Sequence, residues 1–139
     1  MTVKEYLGNI RKKDIELIAL EDAILETETR LTRISPVLSD LPHATGNVDK
    51  MSNGISKLIE LKDLLNLKIY AICELKEIIF DEIEGLENPL HRTVLIERYI
   101  NYKSFEEISI KMNYSYHHVC HLHGHSLQEY EKLIGDRLR

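Results

Sequence analysis

The residues best placed to do chemistry in this chain are its histidines. His117, His121 and His125 recur at every fourth position, so on a helix they form one stripe, with His118 beside them. Imidazole can hydrogen-bond to a base edge, bind a transition metal, or change its charge near neutral pH. Two histidines one turn apart are also a common half of a zinc site. Against a closed zinc site, no carboxylate lies within the cluster, and on a helix Cys120 points about 100° away from His121. One helix rarely supplies all the ligands of a tetrahedral site. The pattern therefore favours a surface facing DNA or a protein partner, with no metal and no cofactor expected. His123 falls off the stripe and is expected to be structural or solvated. His91, and the isolated His43, are expected at the surface.

The stripe needs helices to hold it, and local signals supply them. Ser104 and Glu107 have the spacing of a capping box, in which each side chain satisfies a free backbone donor of the other. Phe105, Ile108 and Met112 then give that helix one apolar face. Asn113 stands where the chain must turn, and Asn tolerates the left-handed conformation. Ser115 suits the cap of the next helix, with Tyr114 and Val119 spaced as a hydrophobic staple. Gly124 within that helix costs about 0.5–1 kcal/mol relative to Ala, so a close helix approach is expected there. Gly135 is the expected end of the helix. Two capped helices, a tight turn and a shared apolar seam describe a helix-turn-helix, whose second helix is the one offered to a DNA groove.

Upstream, the chain is built from longer periodic stretches. Val3, Tyr6, Ile10, Lys13, Leu17, Leu20, Ile24, Thr27, Leu31 and Ile34 follow steps of three and four, and eight of these ten positions are apolar. Thr2 and Glu5 have cap spacing, and Pro36 is the expected stop. Residues 35–52 hold two of the three prolines and Gly46 and are expected to form a loop. A second heptad run follows from Met51 to Leu86, widened by Leu61, Leu64, Leu75 and Ile78, just as Ile15, Ile18 and Leu25 widen the first. Two such helices, each about 45 Å long, predict an antiparallel hairpin. The extra apolar faces predict association, with a homodimer the smallest assembly that buries them. Asn88-Pro89 restarts the chain as a helix that runs to about Asn101.

The expected fold is all-α: residues 1–86 as an oligomerising helical hairpin, residues 87–139 as the helix-turn-helix module. The composition agrees, with 43% hydrophobic and 29% charged residues. The formal net charge is −5, but it is unevenly placed. Residues 1–88 carry 11 Lys/Arg against 17 Asp/Glu, while residues 89–139 carry 7 against 6 and six of the seven histidines. No apolar run reaches the ~20 residues of a membrane span, and the first residues lack a signal-peptide core, so a cytoplasmic protein without membrane contact is expected. Cys73 and Cys120 have no metal or redox spacing and are expected as reduced thiols. With no Gly-rich phosphate loop, nucleophile elbow or metalloprotease pattern, the chain is not expected to be an enzyme.

The span from Leu86 to Leu133 resembles the fourth conserved region of bacterial sigma factors, which reads promoters through a helix-turn-helix. The similarity runs through Leu95, Arg98, Tyr99, Ser104, Glu106, Glu107, Ile108, Met112, Ser115, Val119, Leu122 and Leu127. With the segments LSDLP and YSYHHVCHLHGHSL, the whole chain is similar to small Gram-positive phage and mobile-element proteins related to ArpU- and RinA-type late transcription regulators. The resemblance implies double-stranded DNA as partner and transcription control as role. Tyr116, His117, His118, His121 and His125 would then face the major groove, with Arg98, Lys103, Lys111 and Ser115 at phosphates. Sigma factors have Arg, Glu and Gln where this chain has Tyr116, His117, Cys120 and His121, and no Lys or Arg occurs between Lys111 and Lys132. Two alternatives accompany this expectation. One is a DNA-packaging component similar to a small terminase subunit. The other is an adaptor that docks on RNA polymerase, a repressor or another phage protein.

Overall fold

A computed structural model describes residues 1–40 and 45–139, and the side chains outside 34–48. Every element among the described residues is helical: α1 (Val3–Asp40), α2 (Thr45–Glu84), α3 (Pro89–Leu95), a five-residue π turn (Ile96–Ile100), α4 (Phe105–Met112) and α5 (Tyr116–Leu138). None of these helices is long and apolar enough to cross a membrane. His43 and the centre of the expected loop, residues 41–44, lie outside the described residues.

The helix starts follow the sequence signals. Thr2 and Glu5 form a reciprocal cap on α1, with the Thr2 N–H donating to the Glu5 carboxylate at 2.8 Å and the Glu5 N–H to the Thr2 hydroxyl at 3.2 Å. Asn88 caps α3, accepting from the Leu90 N–H at 2.9 Å, and Pro89 occupies the first turn, where no backbone donor is missed.

Two stop signals do not act as expected. Helix α1 continues past Pro36 to Asp40, and α2 already begins at Thr45, so the expected loop at 35–52 is mostly helical. Proline removes one ladder bond and crowds the preceding turn, a loss of about 3 kcal/mol, but the residues after it keep their own donors. Likewise α5 runs through Gly135 to Leu138, since Gly135 does not take a positive φ.

The chain forms two compact units. The first joins residues 1–13 to residues 72–139, and the second is residues 14–71. The first unit draws its core from both sides of residue 86, the boundary expected from the sequence. Val3, Leu7 and Ile10 of α1 cluster with Ile79, Ile83, Leu86, Leu95, Tyr99, Tyr130 and Ile134. Leu7, Ile10, Ile79, Ile83 and Leu95 are fully buried, each contributing about 1.5–3 kcal/mol. A polar knot lies beside this core, where Glu82 accepts from the Tyr130 hydroxyl and from the Arg137 guanidinium, which also donates to the Tyr6 hydroxyl at 3.2 Å.

In the second unit the two helix segments run antiparallel. Glu16 pairs with Lys68 at 3.2 Å and Glu28 with Lys62 at 2.8 Å, so rising numbers on one helix meet falling numbers on the other. The seam residue Ile24 is buried, but Ile15, Ile18, Leu25, Ile59, Leu67 and Tyr70 are more than half exposed.

Candidate functional site

The histidine-bearing face is built by α4, a three-residue turn and α5. Ser104 caps α4 in a complete capping box: its hydroxyl accepts from the Glu107 N–H at 3.2 Å and its own N–H donates to Glu107 at 3.3 Å. The bond from the Ser104 N–H holds the Glu107 carboxyl below its ordinary pKa. Asn113 ends α4 in the left-handed conformation (φ 59°, ψ 41°), and its N–H reaches back to the Ile110 carbonyl. Ser115 caps α5 by accepting from the His118 N–H at 3.1 Å. Tyr114 lies with its ring 4.6 Å from that of His118.

Beyond the turn, α5 divides into two faces. Val119, His123, Ser126, Tyr130 and Ile134 are buried, while Tyr116, His117, His118, His121 and His125 are exposed. Shallow depressions flank the exposed stripe, one lined by Ser115, His118 and Leu122 and the other by Cys120, Gly124 and Gln128. The ring nitrogens Nε2 of His117 and His121 are 3.2 Å apart, and the His125 ring stacks 6.5 Å from that of His121. The stripe is therefore continuous in space as well as in sequence. A hydrogen bond with Cys120 pushes the exposed Tyr116 phenol up from its ordinary pKa.

The cations assigned to phosphate contact, and Arg92 nearby in the chain, are placed differently. Arg98 is half-buried, its guanidinium 4.3 Å from the Phe105 ring centre and donating to the Lys103 carbonyl at 3.1 Å. Lys103 approaches Glu107 at 3.7 Å. Lys111 donates to Glu97 at 2.7 Å, and Arg92 donates to the carbonyls of Leu86 and Glu87. Of these residues, Lys111 keeps the most exposed side chain, although its head group is paired.

Three further residues position the face: Glu97, which did not stand out in the sequence, His123, expected as structural or solvated, and Tyr99. Glu97 is a buried carboxylate in the π turn; one oxygen accepts from Lys111 and Asn101, and the other has no hydrogen-bond partner among the described residues. His123 is buried against Phe105, with ring centres 4.9 Å apart, and lies 2.7 Å from the Tyr99 hydroxyl. Burial lowers the His123 pKa to about 4 and raises that of Tyr99 to about 12. The signal for His123 was its phase: it lies two residues past His121 and therefore shares the buried face with Val119 and Ser126.

One expectation is reversed. Gly124 is exposed, and a Cβ built on it meets nothing within 4 Å, so no close helix approach explains the glycine. Cys120 is half-buried and Cys73 exposed, both as free thiols. Among the described residues no group of three or more His, Cys, Asp or Glu side chains could hold a metal ion. No family model, no curated protein and no solved structure matches the chain.

Proposed function

We propose that the chain is a dimeric DNA-binding regulator of phage or mobile-element transcription. The observation that carries this reading is the exposed edge of α5. Tyr116, His117, His118, His121 and His125 project together from a helix whose start is fixed by Ser115 and a tight turn. An exposed second helix after a tight turn is the arrangement that inserts into a major groove. The resemblance to sigma region four lies on the residues that build the two helices and the turn, Ser104, Glu107, Ile108, Met112, Ser115, Val119 and Leu122 among them, while the exposed face of α5 departs from it. The first turn of α5 also offers backbone donors to an anion. The exposed apolar residues of the second unit support association of two copies, which would double the few cations available.

The experiment is recovery of fragmented phage and host DNA by the purified chain at low salt, at pH 6 and pH 8. Enrichment of one locus, lost on replacing His117 and His121 with Ala, is the expected result. Absence of DNA at both pH values would refute the proposal.

A second reading has its own observation. Arg98, Lys103 and Lys111 are engaged within the chain, which leaves few free cations at this face. An adaptor that docks on RNA polymerase or another phage protein would need none. Failure to bind DNA, together with capture of RNA polymerase by the parent and not by a His117→Ala/His121→Ala variant, would favour it. Ring-sized assemblies in place of dimers would favour the packaging alternative.

A further inference from the structure

His117 and His121 are both exposed on α5, one helical turn apart, and their Nε2 atoms lie 3.2 Å from each other. The ring centres are farther apart, at 4.7 Å, so the two rings converge on their Nε2 edges. Metal–imidazole bonds are 2.0–2.1 Å long, and two of them meeting over a 3.2 Å base enclose an angle of about 100°. That angle falls between the octahedral and tetrahedral values. Two ligands of a first-row divalent ion are thus already at the required separation.

The backbone under the pair is held in place. The Ser115 cap starts α5, and Val119, between the two histidines, is completely buried. The i, i+4 spacing therefore does not have to be organised when an ion arrives. The remaining adjustment is a turn of one or both rings about χ2, a soft torsion, so that both Nε2 lone pairs point to one ion. No Lys or Arg occurs between Lys111 and Lys132 to repel a cation in sequence-local fashion.

We propose that His117 and His121 form an open, two-ligand site for a divalent transition-metal ion on the exposed face of α5. The absence of any cluster of three donors among the described residues makes this a chelating pair and not a closed structural centre. Its remaining coordination positions face outward, to be filled by water or by a donor from another molecule. Imidazole nitrogens select Cu²⁺, Ni²⁺ and Zn²⁺ over Mg²⁺ and Ca²⁺, with Cu²⁺ the tightest. The proposal does not depend on DNA binding.

The test is calorimetric titration of the untagged full chain with NiCl₂ and ZnCl₂, alongside thermal melting with and without each ion. The expected result is one ion per chain, a higher melting temperature with Ni²⁺, and no response to MgCl₂. His117→Ala and His121→Ala should each weaken binding at least about tenfold, because the second imidazole binds intramolecularly. His118→Ala, whose ring lies against Tyr114, should bind like the parent. Circular dichroism would establish that each variant is folded, and His121→Gln would replace any that is not. No heat of binding at millimolar Ni²⁺ would overturn the site. So would equal affinity in the parent and His121→Ala.

Discussion

The Tyr99 hydroxyl lies 2.7 Å from Nε2 of His123, with both side chains buried beneath the exposed histidines of α5. Because burial holds Tyr99 protonated, its hydroxyl can donate to a neutral His123 ring that carries its own proton on Nδ1. A protonated ring could only reverse that bond, donating to the Tyr99 oxygen, and would carry its charge into a site that does not solvate it.

This contact makes a pH prediction. The folded-state pKa of His123, about 4, lies below the ordinary value of 6.5. Between those values the unfolded chain binds a proton that the folded chain does not, so stability falls as the pH falls. The full contribution is present above pH 6.5, and about 2 kcal/mol should be lost by pH 5. Urea denaturation between pH 7.5 and 5 would measure it. His123→Leu should flatten the curve in that window, and an unchanged slope would contradict the assignment.

The Glu97–Lys111 pair joins the π turn to α4 at 2.7 Å, with the carboxylate buried and the ammonium exposed. Removing the lysine leaves a buried charge without its partner, while solvent near Lys111 reduces the penalty. Lys111→Met should therefore destabilise the chain by about 1–2 kcal/mol. The double variant Glu97→Gln/Lys111→Met should recover part of that loss. Equal melting temperatures for parent and Lys111→Met would show that the pair contributes nothing.

Gly124 offers a stabilising substitution. Its Cβ position is open and its φ is ordinary for a helix, so Gly124→Ala loses nothing in packing. The gain should be about 0.5–1 kcal/mol, read as a higher urea midpoint at unchanged slope. A lower midpoint would mean that a neighbour packs on this face in solution.

Ile18 on α1 and Leu67 on α2 are 56% and 68% exposed, and Ile15, Leu25, Ile59 and Tyr70 of the same unit are also more than half exposed. If these faces pair two copies, sedimentation equilibrium should give a dimer. Ile18→Glu/Leu67→Glu should then sediment as a monomer with unchanged helix content. A monomeric parent would remove association from the proposed function.

The Thr2, Asn88, Ser104 and Ser115 caps, the left-handed turn at Asn113 and the heptad seams were legible from sequence, because each arises within a few neighbouring residues. The all-helical fold followed from them. The stop signals at Pro36 and Gly135 misled for a related reason. Each weakens a helix by a bounded local amount, and the bonds on either side of it survive. What only the tertiary structure decided was which charges are available. The Lys103–Glu107 pair is local, one helical turn apart, but Lys111 looks like a free surface cation in the sequence until folding brings the buried Glu97 against it, as it brings Arg98 against the Phe105 ring. In the same way His123 and His121, two residues apart in one histidine-rich run, end on opposite sides of the surface, because the burial of α5 divides that run. A side chain's type and spacing are local properties, whereas its pairing and solvation depend on segments far along the chain.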